Sequence, residues 1–94
     1  MKIDWGKFHD ATFVGINLLW LEGIAVMTLR LREEITINFS GLKRLNWERT
    51  FPWGPSESIN TVTIEEGNPN WVFKFEIQSG DVLTIECTDV TLQK

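Results

Sequence analysis

Apolar and polar residues alternate with a period of two along most of the chain. Val14, Ile16, Leu18 and Trp20 share one parity, and beyond the turn at Leu21-Glu22-Gly23 the residues Ala25, Met27, Leu29 and Leu31 share another. Successive side chains of a strand point to opposite faces, so this spacing marks strands with one covered face. Two antiparallel strands joined at Glu22-Gly23 are predicted, with Trp20 turned inward. After the charged turn at residues 32–34, Ile35, Ile37 and Phe39 continue the pattern as a third strand. In the segment SGLKRLNWER (40–49), Leu42 and Leu45 suit one helical turn, whereas Leu45 and Trp47 suit a strand that follows a bulge at Gly41. The bulged strand is the favoured reading.

The second half repeats the theme. Val62 and Ile64 alternate with threonines, and EEGNPN (65–70) supplies a turn through Gly67 and Pro69. Trp71, Phe73, Phe75 and Ile77 then oppose Val72, Lys74, Glu76 and Gln78, and QSGD (78–81) turns the chain into Leu83, Ile85 and Cys87. Past Cys87 the apolar parity moves to Val90 and Leu92, as a bulge near Thr88-Asp89 would cause. No amphipathic helix of useful length, repeat or linker interrupts the chain. The expected fold is all-β, an antiparallel meander of six to seven strands forming a small sandwich or partly open barrel, with residues 1–94 as one domain.

Charge and cysteine content narrow the function classes. Nine Lys plus Arg stand against thirteen Asp plus Glu, a net charge of −4, which leaves no evident basic patch for a nucleic-acid backbone or an anionic membrane surface. Lys2, Asp4 and Lys7 occupy the stretch where a secretory leader carries its apolar run, so no such leader is expected. The apolar segment VGINLLWLEGIAVM (14–27) is broken by Asn17 and Glu22-Gly23 and is short for a membrane helix. A lone cysteine, Cys87, forms no intrachain disulfide, which fits a reducing compartment and makes a cytoplasmic location the expectation.

Catalytic chemistry has little to work with. His9 is the sole histidine, and although Asp10 follows it, neighbours on an extended chain point apart, so Asp10 is expected to be poorly placed to orient the imidazole. Backbone hydrogen bonding by His9 and Asp10 is the favoured reading. One His and one Cys are too few for zinc, and Glu33-Glu34 and Glu65-Glu66 lack calcium-loop spacing, so neither metal nor other cofactor is expected. Cys87 shares its parity with Leu83 and Ile85, which makes it a core residue instead of a nucleophile. GPSES (54–58) departs from the nucleophile-elbow pattern because Ser58 stands where the second glycine belongs. Ser56 and Ser58 are expected to bond the loop to itself. The protein is not expected to be an enzyme.

The motifs FHDA (8–11), PWGPSESIN (52–60) and QSGD (78–81) resemble those of small bacterial proteins of unknown function, some of which look like immunity proteins of polymorphic toxin systems. The resemblance implies a compact bacterial β protein that binds and neutralises a toxin. No functional residue is carried over from it.

One segment invites a binding role. In FPWGPSES (51–58), Pro52 and Pro55 fix their own φ and push Phe51 and Gly54 towards extended conformations, which predicts a rigid loop. Trp20, Phe39, Trp71, Phe73 and Phe75 fall on inward parity, whereas parity does not settle Trp5, Phe8, Phe51 and Trp53. The apolar content of the loop favours a plug over the core; a recognition loop and a split arrangement, one ring in and one out, are the alternatives. The expected function is that of a non-catalytic protein-binding module, with a basic toxin as the kind of partner an acidic surface would meet. A small-molecule or carbohydrate-binding β domain using the Phe51–Ser58 loop, with Trp53 as a stacking platform, is the alternative. The candidate site comprises Phe51, Trp53, Gly54, Pro55, Ser56, Glu57, Ser58 and His9, on a monomer or an edge-strand homodimer.

Overall fold

The computed structural model describes residues 3–93. A 3-10 turn, Trp5–Phe8, precedes eight strands: β1 (Thr12–Leu19), β2 (Ile24–Arg30), β3 (Glu34–Ser40), β4 (Arg44–Trp47), β5 (Ile59–Glu65), β6 (Trp71–Ile77), β7 (Val82–Cys87) and β8 (Asp89–Gln93). They form two four-stranded antiparallel sheets, ordered β1-β2-β3-β8 and β4-β7-β6-β5. The chain is all-β, as the alternation predicts.

The strand count of eight, against an expected six to seven, comes from two bent strands that cross between the sheets. Ser40 pairs with Asp89 in one sheet and Arg44 with Glu86 in the other. In unbroken register Arg44 would face Ile85, so the same two segments run antiparallel through a corner with a slip of one residue. Thr88 N–H donates to Ser40 O at 3.1 Å and Lys43 N–H to Glu86 O at 2.8 Å on either side of the bend. Gly41 makes the corner at φ +62°, and a Cβ there would collide with the Thr88 side chain. The change of inward parity from Cys87 to Val90 is this corner seen in sequence.

At the other side of the molecule the two sheets touch through β1 and β5. Asp10 N–H donates to Ile59 O and Ile59 N–H to Ala11 O, both at 2.8 Å, and Thr12 bridges Ser58. The sandwich is therefore closed along one stretch into a partly open barrel, and the connectivity is not a simple meander, because the segment between β4 and β5 crosses from one edge of its sheet to the other.

The core holds the inward residues of β2, β3, β6 and β7, with Phe39, Phe73 and Phe75 fully buried. Phe39 meets Phe73 and Phe75 edge-to-face at 5.4 and 6.0 Å, and Trp5 packs on Phe8, Phe73 and Phe75. Such pairs add about 0.5–1.5 kcal/mol each beyond the area they bury. Trp5 and Phe8, which strand parity leaves open, reach the core because the 3-10 turn lays both across it; the Asp4 carboxylate accepts from Gly6 N–H at 3.2 Å to start that turn.

The expected inward set of β1 is corrected. Phe13 pairs with Leu29 and Gly15 with Thr28, so Val14 is bulged out and the parity shifts. Phe13 and Ile16 pack against the core while Val14 is exposed. Leu18 lies opposite buried Ala25 but beyond the reach of the second sheet, and Trp20, expected inside, is 82% exposed in the turn after the strand. Leu31 is likewise exposed just past the end of β2.

Candidate functional site

Residues 48–58 leave β4, pass around the β6–β7 turn and enter β5. The start, middle and end of this path are tied to that turn. Glu48 N–H donates to Val82 O at 3.2 Å, Trp53 N–H to Ser79 O at 3.0 Å, and Gln78 N–H to Ser58 O at 2.8 Å. The centre of the attachment is Asp81, nearly buried, whose Oδ1 accepts from Thr50 N–H at 2.6 Å, Thr50 Oγ1 at 3.2 Å and Phe51 N–H at 3.0 Å. Its Oδ2 accepts from Phe51 N–H at 3.1 Å and from the Ser79 hydroxyl at 2.6 Å. Burial alone would raise the carboxyl pKa, but the hydrogen bonds from Ser79, Thr50 and Phe51 together outweigh it and hold Asp81 below the ordinary aspartate value. The donors explain why a carboxylate is stable in this place.

The two rings of the loop part company. Phe51 is half-buried at φ +52°, an uncommon conformation for a bulky residue, with the Arg49 guanidinium 4.6 Å above its ring. Trp53 is 74% exposed. Its inner edge rests on Gly80, where φ is +94° and a Cβ would come within 2.7 Å of Pro52 and 2.9 Å of the indole. The plug expectation is thus replaced by the split arrangement: Phe51 leans in, and Trp53 is presented to solvent on a backbone that cannot accept a larger residue. Ser56 Oγ accepts from Ser58 N–H at 3.3 Å, so this part of the loop bonds to itself as expected.

Beside the loop lies an open cleft of about 530 Å³ between β1 and β4, within the ~300–1,000 Å³ range of ligand sites. Phe13 and Trp47 meet edge-to-face at 5.8 Å in its lining, and the two positive charges of Arg30 and Arg49 stand beside the carboxylates of Glu57 and Asp81. Of the predicted site residues, Phe51, Pro55, Ser56 and Glu57 line the cleft. Trp53 and Gly54 belong to the outer part of the loop, and Ser58 is the point where it meets Thr12 of β1.

His9 does not join this site. Its Nδ1 donates to Asn60 O at 2.6 Å. The expected separation of His9 and Asp10 is corrected: Asp10 has φ +69°, so the chain turns there and Asp10 Oδ2 lies 3.6 Å from His9 Nε2. Asp10 is itself held by Gln78 Nε2 at 2.6 Å, and both side chains are largely exposed. The pair fastens the entry to β1 onto β5 and the β6–β7 turn, as backbone bonding by His9 suggested.

Cys87 is fully buried, and desolvation pushes its thiol up to about 11. Among the described residues no three His, Cys, Asp or Glu side chains stand together as a metal site, and no helix is long and apolar enough to cross a membrane. The sequence reading misses Asp81, Arg30, Arg49, Phe13 and Trp47. Asp81 carried a signal, since a serine two residues before an aspartate in a glycine turn is a polar set able to bind a neighbouring backbone. The cleft residues carried none, because they meet only when the two sheets fold together.

No known protein family matches the chain, and no curated protein does. Among solved structures, an uncharacterized protein from Neisseria gonorrhoeae superimposes with a TM-score of 0.69 over 93% of both chains at 11% sequence identity. At that identity the likeness extends to the fold.

Proposed function

We propose that the protein is a non-catalytic protein-binding module whose recognition surface is the loop Phe51–Ser58, with Trp53 as its anchor. The carrying observation is the exposure of Trp53 on a segment clamped by Asp81 and Ser79. A rigid loop loses little entropy on binding, and exposed tryptophans on ordered backbone are the residues most often found as interface hot spots. The absence of a second histidine from the sequence, the burial of Cys87 and the structural engagement of His9 all favour binding over catalysis. Neutralisation of a toxin is the role that the motif resemblance adds to this reading, and a net charge of −4 suits encounter with a basic partner.

The test is affinity capture with the wild-type chain and with Trp53→Ala. A protein retained by the former and lost by the latter, with the variant still folded, supports the assignment. Capture that is equally strong with both removes Trp53 from the site.

A small molecule in the cleft is the second reading, favoured by the aromatic wall and by Arg30 and Arg49 at one site. Because Glu57 and Asp81 line the cleft beside the two arginines, its chemistry is that of an aromatic ligand carrying polar groups. A thermal-shift screen of such compounds against wild type and Arg49→Ala separates it from the first reading, because stabilisation lost only in the arginine variant points to the cleft.

A further inference from the structure

The two sheets have four edge strands, and three carry the devices that discourage unwanted strand pairing. β4 is four residues long and bears Arg44, β8 is five residues long and begins at Asp89, and β5 ends at Glu65. β1 differs. It is eight residues long, and the stretch from Ala11 to Leu21 contains no charged residue and no proline. Its partner on one side is β2, and on the other its contacts stop at the start: Phe13 N–H donates to Glu57 O, while among the described residues no backbone partner is found beyond it on that edge. Beyond the bulge, alternate residues of β1 therefore turn their N–H and C=O outward. Along the same edge Val14, Leu18 and Leu19 are exposed at 37–45%, and Trp20 and Leu21 at 82% and 94%.

We infer that β1 pairs with β1 of a second copy of this chain, antiparallel about a twofold axis, to make one continuous eight-stranded sheet. Three observations select a second copy as the occupant. The strip is uncharged, so it carries no pattern by which a different protein would be chosen, and it meets itself without like-charge repulsion although each chain has a net charge of −4. An antiparallel edge pair is self-complementary, as a twofold interface requires. Pairing centred on Asn17 sets Leu18 opposite Ile16 of the second copy and Trp20 opposite its Val14, so exposed Trp20 of each copy covers exposed Val14 of the other, and the ladder ends before Phe13, whose edge Glu57 already occupies. The exposed parts of these side chains come to at most about 600 Å² per copy, to which the backbone ladder adds, against the ~800 Å² per partner of a specific interface. The loop Phe51–Ser58 is not consumed by this contact.

Sedimentation velocity of the full chain over a wide concentration range tests the inference. The expected particle has twice the 10.9 kDa chain mass. The double variant Trp20→Lys, Leu21→Lys alters only solvent-exposed turn positions, and circular dichroism should show its strands unchanged; its dimerisation should weaken by roughly tenfold or more, as loss of an interface anchor does. In a separate variant, Asn17→Cys places two thiols across the axis at the ~4.5–5.5 Å Cα separation of facing residues, inside the range for a disulfide. Oxidation should give a covalent dimer, and buried Cys87 does not compete. A chain that stays monomeric at all concentrations overturns the inference and leaves the strip to a different partner. So does a dimer that persists in the lysine variant and fails to cross-link through residue 17, which would place the contact on another surface.

Discussion

The Asp81 carboxylate accepts the Phe51 N–H through both oxygens, at 3.0 and 3.1 Å, and so holds a bulky residue at φ +52° thirty positions earlier in the chain. A left-handed backbone at phenylalanine persists only where its surroundings overdetermine it. Here the determinant is one charged side chain that also takes both donors of Thr50.

Asp81→Asn should release this stretch. An amide keeps one acceptor oxygen but turns donors towards Phe51 N–H, so amide exchange at Thr50 and Phe51 should become faster in the variant. The pH dependence has a definite sign. The folded-state pKa of Asp81 is lowered, so its contribution to stability is present above the unfolded value of about 4 and is lost as pH falls through the folded value. Urea midpoints of wild type and Asp81→Asn should differ at pH 7 and converge below pH ~4. A difference that is constant across this range would mean that the carboxylate charge does not hold the loop.

Cys87 gives a second test. With its thiol raised to about 11 by burial, the native protein at neutral pH holds almost none of the reactive thiolate. Labelling by a thiol reagent should be slow in the folded state and fast in denaturant. Fast native labelling would show that the inward face of β7 opens readily.

The extent to which these features are legible in sequence follows from where the information is local. β2, β3, β6 and β7 pair on both sides and the bulges fall on their partners β1 and β5, so the parity of these four reads directly as burial, from Ala25 to Leu29 and from Phe73 to Cys87. β1 is misread because a bulge at Val14 and an open edge at Leu18 are set by the neighbouring strands and not by the alternation itself. The corner at Gly41 and Thr88 leaves two separate traces in the sequence, a misplaced glycine and a slipped parity, but that these are two sides of one bend is a fact of pairing. The prolines of FPWGPSES predict an extended Phe51, whereas Asp81 holds that residue at φ +52° from thirty positions away. The direction in which Trp53 points depends on Gly80, which lies 27 positions later and admits the indole only for lack of a side chain.

Gly41→Ala should be among the costly single substitutions. The residue has φ +62°, and its Cβ would overlap the Thr88 side chain, which is itself held at the bend by Thr88 N–H to Ser40 O. Backbone strain of this kind costs about 1–3 kcal/mol before any clash is counted. Gly15→Ala, with open space around its Cβ and no positive φ, is the control and should change stability far less. Equal denaturant midpoints for the two variants would mean that the corner relaxes freely.

Trp53 and Phe75 together separate a binding surface from a structural one. Phe75 is fully buried between Trp5 and Phe39, so Phe75→Ala should cost about 3–5 kcal/mol of stability. Trp53 is 74% exposed and leans only on Gly80 and the turn around it, so Trp53→Ala forms no core cavity and should cost under about 1 kcal/mol. The Asp81 clamp does not involve the indole, and the loop path should survive the change. Chemical denaturation of the two variants checks this contrast. If Trp53→Ala proves as destabilised as Phe75→Ala, the indole is part of the fold and the loop is a plug after all. If it is stable, the tryptophan is held out in water for a reason other than stability, and binding measured on that same variant then reads the loop's contribution to recognition free of any effect on folding.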